Sequence, residues 1–198
     1  MRAIYLGDVV GRAGRDAVAT HLPTLRAQLN PDFIAVNGES AAGGFGITQK
    51  ICEQFFALGV DCVTTGNHVW DQSETVSHIE REPRLLRPAN FPSGTPGKGA
   101  AVFTTRTGRK VLVIQVMGRV FMDPLDDPFQ ALEAMLGDLQ RLSRFPALVN
   151  GLTDTEERAG YLEPTLRTTL ERSGSLLDRK STRLNSSHVS EFRMPSSA

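Results

Sequence analysis

Long apolar runs, paired cysteines and an excess of one charge are all missing from this chain of 198 residues. No stretch approaches the roughly 18 consecutive apolar residues that a membrane-spanning helix needs, and Asp8 comes too early for a signal-peptide core. The two cysteines, Cys52 and Cys62, form no CxxC pair, which argues against zinc fingers, redox motifs and disulfide scaffolds. The 22 basic residues balance 22 acidic ones, unlike the composition of general nucleic-acid or membrane-surface binders. We therefore expect a cytoplasmic, globular protein with reduced thiols.

Several nucleotide-binding and hydrolase motifs are incomplete. A Rossmann fingerprint would need glycine at Val9, in register with Gly11 and Gly14. A P-loop is excluded because Pro92 stands where its first glycine belongs and Gly99 where Ser or Thr belongs. No GxSxG nucleophile elbow occurs. A nucleotide-binding α/β oxidoreductase is therefore disfavoured.

The first part of the chain alternates between short apolar runs and helical patterns. Strands are predicted at 3–6, 33–36 and 61–65, because these runs are continuously apolar or rich in β-branched residues. Helices are predicted at about 12–29, 48–58 and 74–79, where apolar residues recur every three or four positions. Pro23 predicts that the first helix ends or kinks nearby. The alternation indicates the α/β class, with a mostly parallel sheet and helices on its faces.

The later part of the chain gives weaker signals. Residues 99–105 and 110–117 predict a hairpin that turns at Thr107 and Gly108, and a helix is predicted over 126–142. A strand is predicted to begin at 147–149, and helix-like stretches continue over 151–178. Residues 180–198 hold six serines and little apolar periodicity, so we expect a disordered tail.

Polar side chains follow each of the first three predicted strands. Asp8 follows the first strand, Glu39 the second, and Asn67 and His68 the third. In a parallel sheet these residues lie at the carboxyl edge, where α/β proteins bind ligands. Carboxylates, an amide and an imidazole suit divalent cations such as Mn²⁺ or Fe²⁺, and one carboxylate can bridge two cations about 3.5–4 Å apart. The positions of these residues after the strands therefore lead to the hypothesis of a metal site.

Each of these residues also has a simpler interpretation. Asp8 could cap the following helix, and Glu39 could be a solvated loop charge. Asn67 and His68 could form a surface turn after Gly66. Because all three groups directly follow predicted strands, a shared site is favoured over three unrelated local roles.

Five sequence runs occur in a fixed order within residues 1–142. They are GDVVGRAGR, VNGESAAGGFGIT, TTGNHVWDQ, REPRLLRPANFP and MGRVFMDPLDDPF. Together they resemble a bacterial branch of the calcineurin-like metallophosphoesterases, the 2′,3′-cyclic-nucleotide 2′-phosphodiesterase family. The resemblance implies a layered α/β/β/α sandwich and a hydrolase that uses two divalent cations, iron or manganese, with magnesium as an alternative.

The resemblance also implies roles for individual residues. Asp8 and Glu39 match metal-binding acids, with Glu39 bridging the cations, and Asn67 matches a ligand of the second cation. His68 matches the histidine beside the scissile phosphate and would donate a proton to the leaving oxygen. The implied reaction is in-line attack on phosphorus by hydroxide that the cations activate, on a small cyclic-nucleotide phosphodiester. Membrane and general nucleic-acid binding are not expected, and a homo-oligomer is left open.

The sequence departs from the family pattern at two places. Ser40 stands where the family usually carries asparagine, which affects local hydrogen bonding. More seriously, the family has a histidine on the strand after the 126–142 helix and a later GxHxH pair, but no histidine lies between His78 and His188. We therefore expect weak metal binding and little hydrolysis; the alternative is a non-catalytic regulatory or binding protein that retains the fold.

These departures predict a division of the chain. We expect a metallophosphoesterase domain at 1–142, incomplete on its C-terminal side. We expect a partly helical segment outside the family at 143–179 and the disordered tail at 180–198. The serine-rich tail resembles translated adapter sequence, so the segment from about 143 onward is not expected to be the family's own C-terminus.

Overall fold

The fold is described from a computed structural model, which covers residues 1–142, 147–150 and 189–193. The helices are α1 (Gly11–Leu29), α2 (Gln49–Ala57), α3 (Ser73–Arg81) and α4 (Pro128–Leu142). The strands are β1 (Arg2–Leu6), β2 (Phe33–Asn37), β3 (Cys62–Thr64), β4 (Leu85–Leu86), β5 (Ala100–Thr104), β6 (Lys110–Gln115), β7 (Ala147–Asn150) and β8 (Val189–Arg193). None of the described helices is both long and apolar enough to cross a membrane.

Two sheets form the centre of the fold. The larger has the order β4-β3-β2-β1-β8, and its strands β1 to β4 run parallel to one another. The smaller has the order β5-β6-β7, with β5 and β6 antiparallel and β6 and β7 parallel. Leu6 pairs with Val36, and Val36 pairs with Val63, so the carboxyl ends of β1, β2 and β3 lie side by side. The predicted parallel sheet and hairpin are confirmed.

Alternation along the strands builds the layers. On the larger sheet, Ile34 and Val36 belong to a core shared with α1 and α2, whereas Phe33 and Ala35 face the second sheet. The rings of Phe33 and Phe103 meet between the sheets, with centroids 5.4 Å apart. The smaller sheet alternates in the same way, with one face of β6 in the inner core and the other packed against α4. The layered α/β/β/α architecture expected from the sequence is therefore confirmed.

The helix α1 has the range predicted from its apolar spacing and does not end at Pro23. It continues to Leu29, and Leu22 is buried while Leu25 and Leu29 pack against the same core. Burial of apolar side chains on both sides of Pro23 offsets the hydrogen bond that proline removes from the helix.

The prediction for the tail is wrong at five residues. Val189–Arg193 form β8, which pairs antiparallel with β1. A serine-rich composition indicates that few side chains can form a core. It does not indicate whether the backbone can pair with the free edge of a strand such as β1. The remainder of 180–198, the helix-like stretches of 151–178 and His188 lie outside the described residues. The division at residue 142 therefore stays a prediction.

Candidate active site

The loops that follow β1, β2 and β3 are joined by backbone hydrogen bonds. The amide of Val9 donates to the carbonyl of Asn37 at 3.0 Å, and the amide of Gly38 donates to the carbonyl of Thr64 at 2.9 Å. The loops after β1 and β2 share a further backbone bond, at 2.9 Å, between residues 11 and 40. The main chain therefore brings the residues after these strands to one edge of the sheet, as the sequence predicted from a parallel arrangement.

Glu39 is half-buried and lies across the gap between two of these loops. A Cβ atom built on Gly66 would fall 1.5 Å from Oε2 of Glu39, so the carboxylate occupies the space that glycine leaves open. Burial, the largest cause, and the negative charge of Asp8 together raise the pKa of Glu39 to about 7, while His68 opposes the shift. This excludes the interpretation of Glu39 as a solvated loop charge.

Asp8 is exposed at the end of β1, beside the loop that carries Glu39. The buried Ser40 donates a hydrogen bond from Oγ to Oδ2 of Asp8 at 3.0 Å. Serine at this position therefore supplies a donor to the carboxylate. Asp8 is not the cap of α1, because the N-cap position is Val10 and no side chain caps the helix there.

Asn67 and His68 begin a 3₁₀ helix, Asn67–Trp70, directly after Gly66. Asn67 is exposed and His68 is partly buried. The Nδ1 atom of His68 donates to Oδ2 of Asp71 at 2.6 Å, which holds the ring and directs Nε2 away from that carboxylate. The ring of Phe45 packs edge-to-face on His68, with centroids 5.2 Å apart.

Sequence reasoning missed Asp71 and Phe45. The signal for Asp71 was its i+3 spacing from His68, which makes the two side chains neighbours on one turn of helix. Phe45 had no comparable signal, because its contact with His68 depends on how the glycine-rich loop folds back over the site.

The chemistry of this site fits a divalent cation. No hydrogen bond from the described residues reaches the carboxylate of Glu39, and no lysine or arginine among them lies at ion-pair distance from it. A partly buried acid beside a second acid is stabilised when a cation offsets both charges. However, the described ranges contain no cluster of three or more His, Cys, Asp or Glu side chains that could hold a metal ion. The donors present therefore fit a cation but form an incomplete set.

Comparison with known proteins agrees with the sequence resemblance. The profile of the family described as YmdB-like protein matches residues 4–150. This chain belongs to the YmdB-like protein family. The match includes all the sequence runs that carry the resemblance and extends through β7.

Relatives of the YmdB-like chain are hydrolases by name. A Bacillus subtilis (strain 168) protein named 2′,3′-cyclic-nucleotide 2′-phosphodiesterase is 44% identical over 138 residues, which are 70% of this chain and 52% of that protein. The chain thus spans about half the length of the curated relatives it matches. The family assignment predicted from the motifs is confirmed, and the family is one of phosphoesterases.

Solved structures share this YmdB-like fold. A protein from Thermus thermophilus is 39% identical with a TM-score of 0.72, covering 82% of this chain and 64% of that one. A protein described as a novel phosphatase, from Mycoplasma pneumoniae, is 25% identical with a TM-score of 0.76, covering 86% of this chain and 61% of that one. The metallophosphoesterase type of fold expected from the sequence is therefore supported by a solved phosphatase.

Proposed function

We propose that this chain is a metal-dependent phosphodiesterase that acts on cyclic nucleotides of the 2′,3′ type. The observation that carries the proposal is the position of Glu39. Its half-buried carboxylate lies against Gly66, interacts electrostatically with Asp8 and His68, and has no lysine or arginine partner among the described residues. The name of the Bacillus subtilis relative supports the choice of substrate.

Asp8, Glu39 and Asn67 are the residues that would hold two divalent cations, iron or manganese, with magnesium as an alternative. When bound, such cations polarise a phosphoryl group and make a nucleophile available near neutral pH. Oxygen donors from carboxylates and an amide suit all three metals, so the donor set leaves the metal's identity open.

The remaining polar groups of the site act on protons and positions. His68 is the proposed proton donor to the leaving oxygen, through its Nε2 atom. Asp71 orients His68 by accepting the hydrogen of Nδ1. Ser40 positions Asp8 through its hydroxyl. The contacts of Ser40 with Asp8 and of Asp71 with His68 exist before substrate enters. Little free energy is therefore lost in ordering these side chains when substrate binds.

We also propose that cation binding and turnover are weak in this chain. No histidine lies between His78 and His188, although the resemblance implies further imidazole ligands in that stretch. Neutral nitrogen ligands would add affinity for iron or manganese without adding charge repulsion. Residues 1–142 would therefore supply the acidic ligands of a cation site without the further imidazole ligands.

The test compares Glu39→Gln with the parent chain. Bound manganese after dialysis and turnover of bis(p-nitrophenyl) phosphate are measured for both. Glu39→Gln keeps the shape of the side chain but removes its charge, so it should abolish both signals. Glu53→Gln is the matched control, because Glu53 is an exposed glutamate of α2 that bonds only to Gln49 among the described residues.

The alternative is a non-catalytic regulatory or binding protein that retains the fold. The incomplete ligand set among the described residues favours it. Under this alternative, Glu39→Gln would leave every measured property unchanged, and turnover would be absent from the parent chain as well. Stoichiometric manganese with strong turnover would instead contradict the proposed weakness of the site.

The proposal includes a small-molecule phosphodiester as partner and a cytoplasmic location. Both cysteines are free and buried, as is typical of proteins from reducing compartments. Neither a membrane nor nucleic acid in general is a proposed partner, since the chain has no net charge. Sedimentation analysis would decide whether the protein forms a homo-oligomer.

A further inference from the structure

Phe45 is an exposed aromatic residue at the candidate active site. Its side chain is 59% exposed, although it lies in a loop that is otherwise folded against the protein. The ring stands nearly perpendicular to that of His68, at an interplanar angle of 87°. Exposed apolar rings beside polar catalytic groups often mark ligand contacts, because a ligand site combines an apolar surface with a few polar groups.

The loop that carries Phe45 is held in a defined conformation. Gly44 and Gly46 adopt positive φ angles of 98° and 74°, and the amide of Ala42 donates to the carbonyl of Gly46 at 2.8 Å. Nε2 of Gln72 donates to the carbonyl of Phe45 at 2.8 Å. The first bond closes the loop on itself, and the second ties it to the N-cap residue of α3. The exposure of Phe45 is therefore built into the fold.

A second exposed apolar residue lies on the adjoining loop. Val10 is 54% exposed and follows β1, close behind Asp8. Its loop is joined to the loop of Phe45 by the bond from the amide of Gly11 to the carbonyl of Ser40. The carboxylate edge of the site is thus flanked by apolar surface on the loops after β1 and β2.

We propose that Phe45 is a specificity-determining residue that stacks against the base of a nucleotide substrate. This inference rests on the proposed function, because it assumes that a phosphodiester sits beside His68. A ring next to the histidine that handles the leaving oxygen is within reach of a base attached to the same ribose. Stacking on an aromatic ring accepts any base, so Phe45 selects nucleosides over aliphatic alcohols but does not select one base.

Two ligands, three proteins and one control variant test this inference. The 198-residue parent chain, Phe45→Leu and Phe45→Tyr are titrated with 2′,3′-cyclic AMP and with glycerol 1,2-cyclic phosphate, in manganese-containing buffer, by calorimetry. The glycerol ester carries the same cyclic phosphate without a base. Proton NMR of the adenine ring, recorded with diamagnetic magnesium in place of paramagnetic manganese, provides a second readout, because a stacked phenyl ring shifts the adenine signals upfield. Val102→Ala, at an exposed position of the β5–β6 hairpin, controls for the loss of surface apolar area.

The expected result is a loss confined to the nucleotide. Phe45→Leu should weaken cyclic AMP binding by about 5- to 150-fold, the range that corresponds to removing one stacked base, and abolish the upfield shift. Phe45→Tyr should restore both, and glycerol cyclic phosphate should bind all variants alike.

Other outcomes overturn the inference in distinguishable ways. If Phe45→Leu weakens both ligands equally, the ring only excludes water or supports His68, and the base-stacking role is wrong. If Phe45→Leu leaves both affinities unchanged, the role is also wrong, but the proposed function stands. If neither ligand binds the parent chain, the proposed function fails together with the inference.

Discussion

The carboxylate of Glu39 occupies the space that the missing side chain of Gly66 leaves open. A Cβ atom on Gly66 would lie 1.5 Å from Oε2 and 2.7 Å from the carboxyl carbon of Glu39. The side chain of Glu39, from the loop after β2, can therefore pack against the loop after β3 in this position only because residue 66 is glycine. This relationship links two of the sequence runs that carry the family resemblance.

Gly66→Ala should fold but should bind manganese more weakly than the parent chain. The added methyl group meets the flexible end of the Glu39 side chain, which can rotate away from residue 66. The displaced carboxylate can no longer face Asp8, so manganese affinity should fall by about 10- to 100-fold. Equilibrium dialysis measures the affinity, and circular dichroism checks the fold. Gly7→Ala is the matched control, because a Cβ atom there has no other atom within 4 Å. Equal manganese affinity in both variants would refute the positional role of Gly66.

The pH dependence of unfolding should reveal the buried charge of Glu39. In the metal-free protein, burial and Asp8 raise the pKa of Glu39 from its ordinary value of 4.5 to about 7. The folded state therefore binds more protons than the unfolded state between these values, and stability falls as the pH rises through them. The loss should be on the order of 1–3 kcal/mol and complete above the folded pKa.

Urea unfolding in a chelator, at pH values on both sides of this window, measures the effect. Glu39→Gln should remove this part of the pH dependence, and manganese should offset it in the parent chain by neutralising the carboxylate. A parent chain whose unfolding free energy follows that of Glu39→Gln at every pH would contradict the prediction.

Asp71→Asn should disturb His68 without disturbing the fold. An asparagine amide at 2.6 Å from Nδ1 can present a donor where the carboxylate presents only acceptors, so the ring loses its fixed tautomer. We expect kcat to fall by roughly tenfold or more while KM changes little, since proton transfer belongs to the transition state. Nitrogen NMR shifts of the imidazole report the tautomer independently of turnover. In a His68→Ala background, Asp71→Asn should have no further effect on kcat; an additional loss there would show that Asp71 acts by another route.

Asp32 should stabilise the contact between the two sheets. Its carboxylate accepts hydrogen bonds from the backbone amide of Arg2 at 2.7 Å and from Oγ1 of Thr107, in the hairpin turn, at 3.2 Å. The bond from Arg2 is the main reason that the pKa of Asp32 is lowered, and burial opposes it. The stabilisation is therefore fully present above the ordinary value of 3.8 and is lost as the pH falls through the lower folded pKa.

Asp32→Asn should cost about 1 kcal/mol at neutral pH, and this difference from the parent chain should shrink in acid. Urea unfolding at neutral and acid pH measures it. Asp16→Asn is the control, because Asp16 forms an exposed pair with Arg12. If both variants lose stability equally, the contact between Asp32 and Thr107 contributes nothing specific.

The sequence predicted the parallel sheet well because each strand carries its own signal. Runs such as Phe33–Val36 are apolar at every position, which indicates burial on both faces, and the structure buries them between a helical layer and a second sheet. The helix predicted at 48–58 begins as expected, because Thr48 caps α2 and its hydroxyl accepts from the amide of Ile51 at 3.3 Å. Local patterns sufficed here because local packing and capping decide these elements.

Features that depend on distant contacts were harder to predict. Pro23 predicted that α1 ends or kinks nearby, and the sequence could not show that packing carries the helix on to Leu29. The pairing of β8 with β1 joins segments from opposite ends of the chain, and no local composition reports it. For the candidate site, the positions after strands predicted Asp8, Glu39, Asn67 and His68, and their roles stay predictions. The opening at Gly66 and the partner Asp71 became visible only when side chains met in three dimensions.

The bond from the amide of Val9 to the carbonyl of Asn37 holds together the two loops that carry Asp8 and Glu39. It ties the peptide after Asp8 to the strand that leads into Glu39, so the anchor points of the two acids are separated by a distance that peptide geometry dictates. Mutation of neighbouring side chains leaves that spacing intact. Substitutions at the exposed rim of the site should therefore change what the loops contact without moving the backbone positions of Asp8 and Glu39 relative to each other.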